Sequence, residues 1–168
     1  MLSLMIALAL TLFAPQVTQD KGKVESTSAK GKNFSAFHTY SWDKGHEAYD
    51  PSAHKLIVAA IDKEMAGLGF TRVEAGAKPD VMIRYHSVVS TFVDFKSLQK
   101  APVKAADGSD KTSQLGTLVV EMVDPMHAQL WAARTREFVE RSTLEPSIGP
   151  VVARLFETYP GRATAKSR

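Results

Sequence analysis

The chain has 168 residues, 21 Lys and Arg against 18 Asp and Glu for a net charge of +3, and no cysteine. That length suggests one domain, and 44% hydrophobic with 23% charged residues is ordinary globular composition, which excludes a disordered chain, a collagen, a coiled coil and a multi-span membrane protein. The missing cysteine excludes a disulfide scaffold, a thiol nucleophile, a zinc finger and an iron–sulfur cluster.

Residues 1–19 carry no charged side chain. Within them Leu2 to Ala14 is apolar except for Ser3 and Thr11, too short for a bilayer span of roughly 20 residues and of the length of a secretory h-region. This predicts a secretory signal over 1–19, although no Lys or Arg precedes it and neither Leu12-Phe13-Ala14 nor Gln16-Val17-Thr18 is a good cleavage site. The alternative is a buried amino-terminal helix. Export places the mature chain in the periplasm or outside the cell; an uncleaved segment would instead hold it at the inner membrane.

Residues 20–32 read as a polar linker, with a short edge strand at Val24-Glu25-Ser26-Thr27 as the one β signal. A single domain is expected over 33–160. Phe37 to Trp42 alternates at period two and predicts a strand, with Tyr40 and Trp42 on its buried face. Asp50 is a good N-cap and Pro51 suits the first helical position. Leu56, Ile57, Ala60, Ile61, Met65 and Leu68 then make one helical stripe, closed by Gly69 at the left-handed C′ position and Phe70 beyond it.

Phe70–Glu74 predicts a short strand and Asp80–Val89 a longer one, with Val81, Ile83 and Tyr85 on one face. Lys96–Ser113 reads as a loop, functional or disordered at that length. Gly116–Asp124 and Gln129–Val139 predict a hairpin about the turn Asp124-Pro125-Met126-His127. In its second strand Leu130, Ala132, Arg134 and Arg136 alternate with Trp131, Ala133, Thr135 and Glu137, so one face is charged and wet. A helix over Pro146–Tyr159 follows the stripe Ile148, Val151, Val152, Leu155, Phe156 and Tyr159, stopped by Pro160-Gly161. Residues 161–168 form a basic tail expected to be disordered. The expected fold is α+β: a mostly antiparallel sheet of about five strands, with two helices on one face.

Chemistry is sparse. His38, His46, His54, His86 and His127 show no zinc-ligand spacing, so no metal is expected. The weak catalytic candidates are Asp80, Glu121 and Asp124, at strand ends or on strands. Asp80 follows Pro79 and Asp124 precedes Pro125, which suits turn-making equally well. No nucleophile elbow, phosphate loop, dinucleotide fingerprint or HExxH motif occurs, and no cofactor is expected. The basic residues are scattered, so a pI of 9.1 suggests weak attraction to anionic envelope surfaces and not a nucleic-acid partner. Tyr40, Trp42, Tyr85, Trp131, Phe156 and Tyr159 read as core more readily than as a ligand groove.

Phe34-Ser35-Ala36-Phe37-His38-Thr39-Tyr40-Ser41-Trp42 resembles the F-x-x-[YF]-x-T-[YF]-x-W opening of a bacterial envelope family, the domain of unknown function 4136. Ile61 to Met65, Gly69-Phe70, Pro79-Asp80-Val81, Gly116-Thr117-Leu118 with Val123-Asp124, Leu130-Trp131 and Tyr159-Pro160 follow in the same order, from about Val24 to Pro160. The resemblance implies an exported α+β domain, often a lipoprotein, with no catalytic residues to carry over. This chain lacks the lipidation cysteine, so the implied anchor does not carry over. The expected function is a non-enzymatic envelope module binding a protein partner or small ligand; the alternatives are a carboxylate hydrolase or a purely structural periplasmic protein.

Overall fold

The computed structural model describes residues 22–74, 77–92, 113–139 and 144–162. The expected signal, the loop 96–113 apart from its last residue, and nearly all of the basic tail lie outside them. In chain order come β1 (Val24–Ser28), a 3₁₀ turn at Phe34–Ala36, β2 (Thr39–Trp42), α1 (Pro51–Gly67), β3 (Thr71–Arg72), β4 (Val81–Phe92), β5 (Ser113–Val123), β6 (Gln129–Val139) and α2 (Leu144–Phe156).

The α+β class holds, but the sheet has six strands and is mixed, in the order β1-β6-β5-β4-β2-β3. β4, β5 and β6 form an antiparallel meander, with β1 antiparallel on its β6 edge. β2 runs parallel to both β3 and β4. Parallel pairing needs a long crossover, and α1 supplies it between β2 and β3. The expected linker 20–32 is thus only partly linker: Val24–Ser28 is an edge strand, largely exposed and polar, which is why its hydrophobic signal is faint.

The ends of α1 follow from the sequence. Asp50 Oδ1 accepts from the backbone N–H of Ser52 (2.8 Å) and Ala53 (3.3 Å). At the other end Gly69 has φ +86°, and the N–H groups of Gly69 and Phe70 donate back to Ala66 and Met65 carbonyls, closing the helix in a Schellman-type cap. The buried line is narrower than the expected stripe: Ala53, Ile57, Ile61 and Met65, four apart, while Leu56 is 36% exposed.

Both helices pack on one face of the sheet and on each other. That inner face is built in rows set by the register. Ile83, Met122 and Trp131 form one row, Tyr85, Val120 and Ala133 the next. All six are buried. Trp131 sits against Phe156 (ring centroids 5.3 Å) and Tyr159 (5.7 Å). Its indole N–H has no partner among the described residues, a desolvation cost of about 1–3 kcal/mol that the surrounding packing must outweigh.

The expected alternation in β6 fails at one residue. Register shifts between Met122 and Val123, which face Trp131 and Gln129, so Leu130 is the extra residue of a bulge. It is buried, whereas Arg134 and Arg136 point outward as expected. The closing helix runs from Leu144 to Phe156, ending three residues before Tyr159, which a following turn still buries.

Candidate functional site

Beyond the two filled rows, the inner face tapers. The third row is Ser87, Leu118 and Thr135; the fourth is Val89, Gly116 and Glu137. Large side chains give way to a serine, a threonine and a glycine. The helices cannot close down on this end, and a cavity of about 530 Å³ opens there. That volume is within the range of small-molecule sites. Its inner wall is apolar: Ala53 and Ile57 from the start of α1, Leu118 from β5, and Ile148 and Val151 from α2. Thr135, 2% exposed, lies in the same wall. Toward solvent the lining turns to Val88 and Val89, 49% and 53% exposed, and to the segment His46–Asp50.

That segment is held by specific bonds. The Tyr85 hydroxyl accepts from the Ala48 N–H (3.0 Å) and meets His54 Nδ1 at 2.7 Å. Burial raises the Tyr85 pKa, aided by the negative Glu47 and opposed by the Ala48 N–H, so the phenol stays protonated and serves as a strut. His46 bridges to β4: its carbonyl accepts from the Ser87 N–H (2.9 Å), and its own N–H donates to His86 Nδ1 (3.1 Å). Gly45 makes this approach feasible, since a Cβ there would lie 2.0 Å from the Tyr85 carbonyl oxygen. At the other wall Glu137 is ion-paired with Arg154 of α2.

The three sequence candidates do not meet in this cavity. Asp80 Oδ2 accepts from the N–H groups of His38 (2.8 Å) and Thr39 (2.9 Å), and its own N–H donates to Thr39 Oγ1 (3.0 Å), fastening the starts of β2 and β4. Those donors hold its pKa below the usual value. Asp124 Oδ1 accepts from the N–H groups of Met126 and Ala128, both at 2.9 Å, and organises the β5–β6 turn, where His127 takes φ +63°. Glu121 lies on the outer face, bonded to Arg84 (2.7 Å) and 3.4 Å from His86 Nε2. Arg84 reaches on to Asp43 (3.5 Å), which also meets His127 (3.3 Å). This charged network ties β4, β5 and the turns together.

The histidines are thereby distributed among separate structural contacts, and among the described residues no three His, Asp or Glu side chains converge as a metal ion would need. No described helix is long and apolar enough to cross a membrane. The expected core aromatics are buried, except that Trp42 is half-buried.

Sequence reasoning missed Asp62. Its carboxylate accepts from the Tyr40 hydroxyl (2.7 Å), Trp42 Nε1 (3.0 Å) and Arg72 (3.1 Å), tying α1 to β2 and β3. Burial and this carboxylate push the Tyr40 pKa up. The signal was present: a lone Asp beside the buried Ile61, in a chain with two polar-tipped aromatics on one strand face.

A family model, Domain of unknown function (DUF4136), matches residues 24–161. No curated protein matches the chain. Among solved structures, a PDZ domain protein from Parabacteroides distasonis superposes with a TM-score of 0.58 at 18% identity, covering 84% of this chain and 37% of that one. The present chain therefore spans little more than a third of that protein, and the likeness is one of fold. The PelC dodecamer from Paraburkholderia phytofirmans gives a TM-score of 0.49 at 15% identity, covering 80% of this chain and 94% of that one.

Proposed function

The chain belongs to the family of the domain of unknown function 4136, and we propose that it is a non-enzymatic binding module of the bacterial envelope, taking a small apolar or amphipathic ligand. The observation that carries this reading is the cavity of about 530 Å³ at the tapered end of the sheet, apolar inside and polar at its rim. A hydrolase reading would need carboxylates poised in a cleft. Asp80 and Asp124 instead accept backbone N–H groups, Glu121 is paired on the opposite face, and of the carboxylates that line the cavity Asp50 caps α1, Glu137 is paired with Arg154 and Glu47 is exposed.

Titration with a neutral, environment-sensitive naphthylamine dye tests the reading. Saturable micromolar binding that is lost in Ile148→Trp, with the circular dichroism spectrum retained, supports a ligand module. No dye uptake, or uptake that Ile148→Trp leaves intact, leaves a purely structural envelope protein as the better account. Envelope location rests on the uncharged apolar stretch of residues 1–19. Mass spectrometry of the protein recovered from a periplasmic fraction should find an amino terminus beyond residue 14. A soluble cytosolic protein starting at Met1 would contradict export.

A further inference from the structure

The cavity is polarised along its depth. Ile57 and Ile148 are buried, and with Leu118 they form an inner end with no charged side chain. Charge enters beyond that end, and among the described lining residues it has one sign. Among the described residues Glu47, Asp50 and Glu137 line the cavity and no Lys or Arg does, in a chain where bases outnumber acids. These carboxylates are not equivalent. Asp50 is committed to the first N–H groups of α1, and Arg154 stands behind Glu137. Glu47 is well exposed, and among the described residues its ion-pair partner is the His54 imidazole at 3.9 Å. The rim also holds His46, whose backbone is fixed to β4.

An apolar tail entering this space meets aliphatic side chains at depth, and its head group stays among carboxylates at the rim. Burying the tail contributes roughly 0.8 kcal/mol per methylene, so the tail supplies affinity. The head supplies selection by sign, because each exposed ion pair is worth a few-fold at most. On the binding-module reading given above, we infer that the cavity accepts a single-tailed amphiphile tail-first and prefers a cationic, ammonium-type head to an anionic one. Gly116 is the residue that keeps the outer row open, lying between Val89 and Glu137 on the inner face.

Displacement of the neutral dye from the full chain at pH 7 by three ligands of equal tail tests this. Octylamine is protonated like Lys, octanoate is ionised like Glu, and octanol is neutral. Octylamine should displace the dye at a concentration about threefold below octanoate, with octanol between them, as one or two weak ion pairs would give. Raising the salt to about 1 M should shrink the gap between amine and carboxylate by screening. Glu47→Gln should narrow the gap at low salt, whereas Glu121→Gln on the outer face should leave it as it is. Equal displacement by all three, or tighter octanoate, overturns the head-group inference while the cavity reading stands. Dye that never binds overturns both.

Discussion

The two ends of the sheet's inner face differ in what their register brings together. At one end Ile83, Met122 and Trp131 stand side by side, fully buried under both helices. Three rows further on, Val89, Gly116 and Glu137 occupy the equivalent places, and the helices cover a cavity instead of a core. The same three strands make both ends, so side-chain volume and not topology separates core from cavity. A small residue is what an edge of a core cannot use and what a binding site needs.

The filled end should be where the chain is most easily broken. Trp131→Ala removes the largest fully buried side chain and should cost about 3–5 kcal/mol in urea unfolding. Next comes the tether between helix and sheet. Asp62→Ala strands the Tyr40 hydroxyl and Trp42 indole N–H, and a loss of about 2 kcal/mol is expected, with part restored in Asp62→Asn. An Asp62→Ala protein as stable as the wild type would show the carboxylate to be dispensable to the fold.

Asp80 should act more gently and with a pH signature. Its folded pKa lies below the unfolded value near 3.9, so its contribution is fully present above that value and is lost as pH falls through the folded one. Asp80→Asn should lower stability at pH 7 by about 0.5 kcal/mol, since the carboxylate is exposed and its interactions are screened by solvent, and should flatten the fall in stability between about pH 5 and 3. Equal acid slopes for the two proteins would remove Asp80 from the account. The open end should tolerate bulk best. Gly116→Val gains strand propensity on a half-exposed site, so stability should stay level or rise by up to about 1 kcal/mol while dye affinity falls. A large destabilisation would mean that this end is packed after all.

How far the sequence disclosed this architecture differs by element. The helix α1 was legible because its cap, its first proline, its period and its closing glycine agree. The β5–β6 hairpin was legible from alternation and the Asp124-Pro125 turn. Strand β1 was faint because an edge strand with polar side chains on both faces has no buried pattern to show. The parallel pairing of β2 with β4 was hidden, since it joins Tyr40 to Val81 across a helix and no local signal encodes such a partner. Leu130 misled because a bulge moves one side chain across the sheet. The cavity was hidden for the same reason as the parallel pairing. Gly116, Val89 and Glu137 are unremarkable one by one, and only the registers of two hairpins set them in a row. Asp80 and Asp124 were readable as turn-makers from their neighbouring prolines, and their backbone contacts are of that kind.

The central claim is that one end of this inner face is a binding site and the other a core. Methyl-resolved NMR during titration with octylamine tests it most directly. Shifts confined to Ile57, Leu118, Ile148 and Val151, with Ile83 and Met122 unmoved, are the predicted result. Shifts scattered over the outer face, or none at the methyl groups of any of these four cavity residues at saturating ligand, would contradict it.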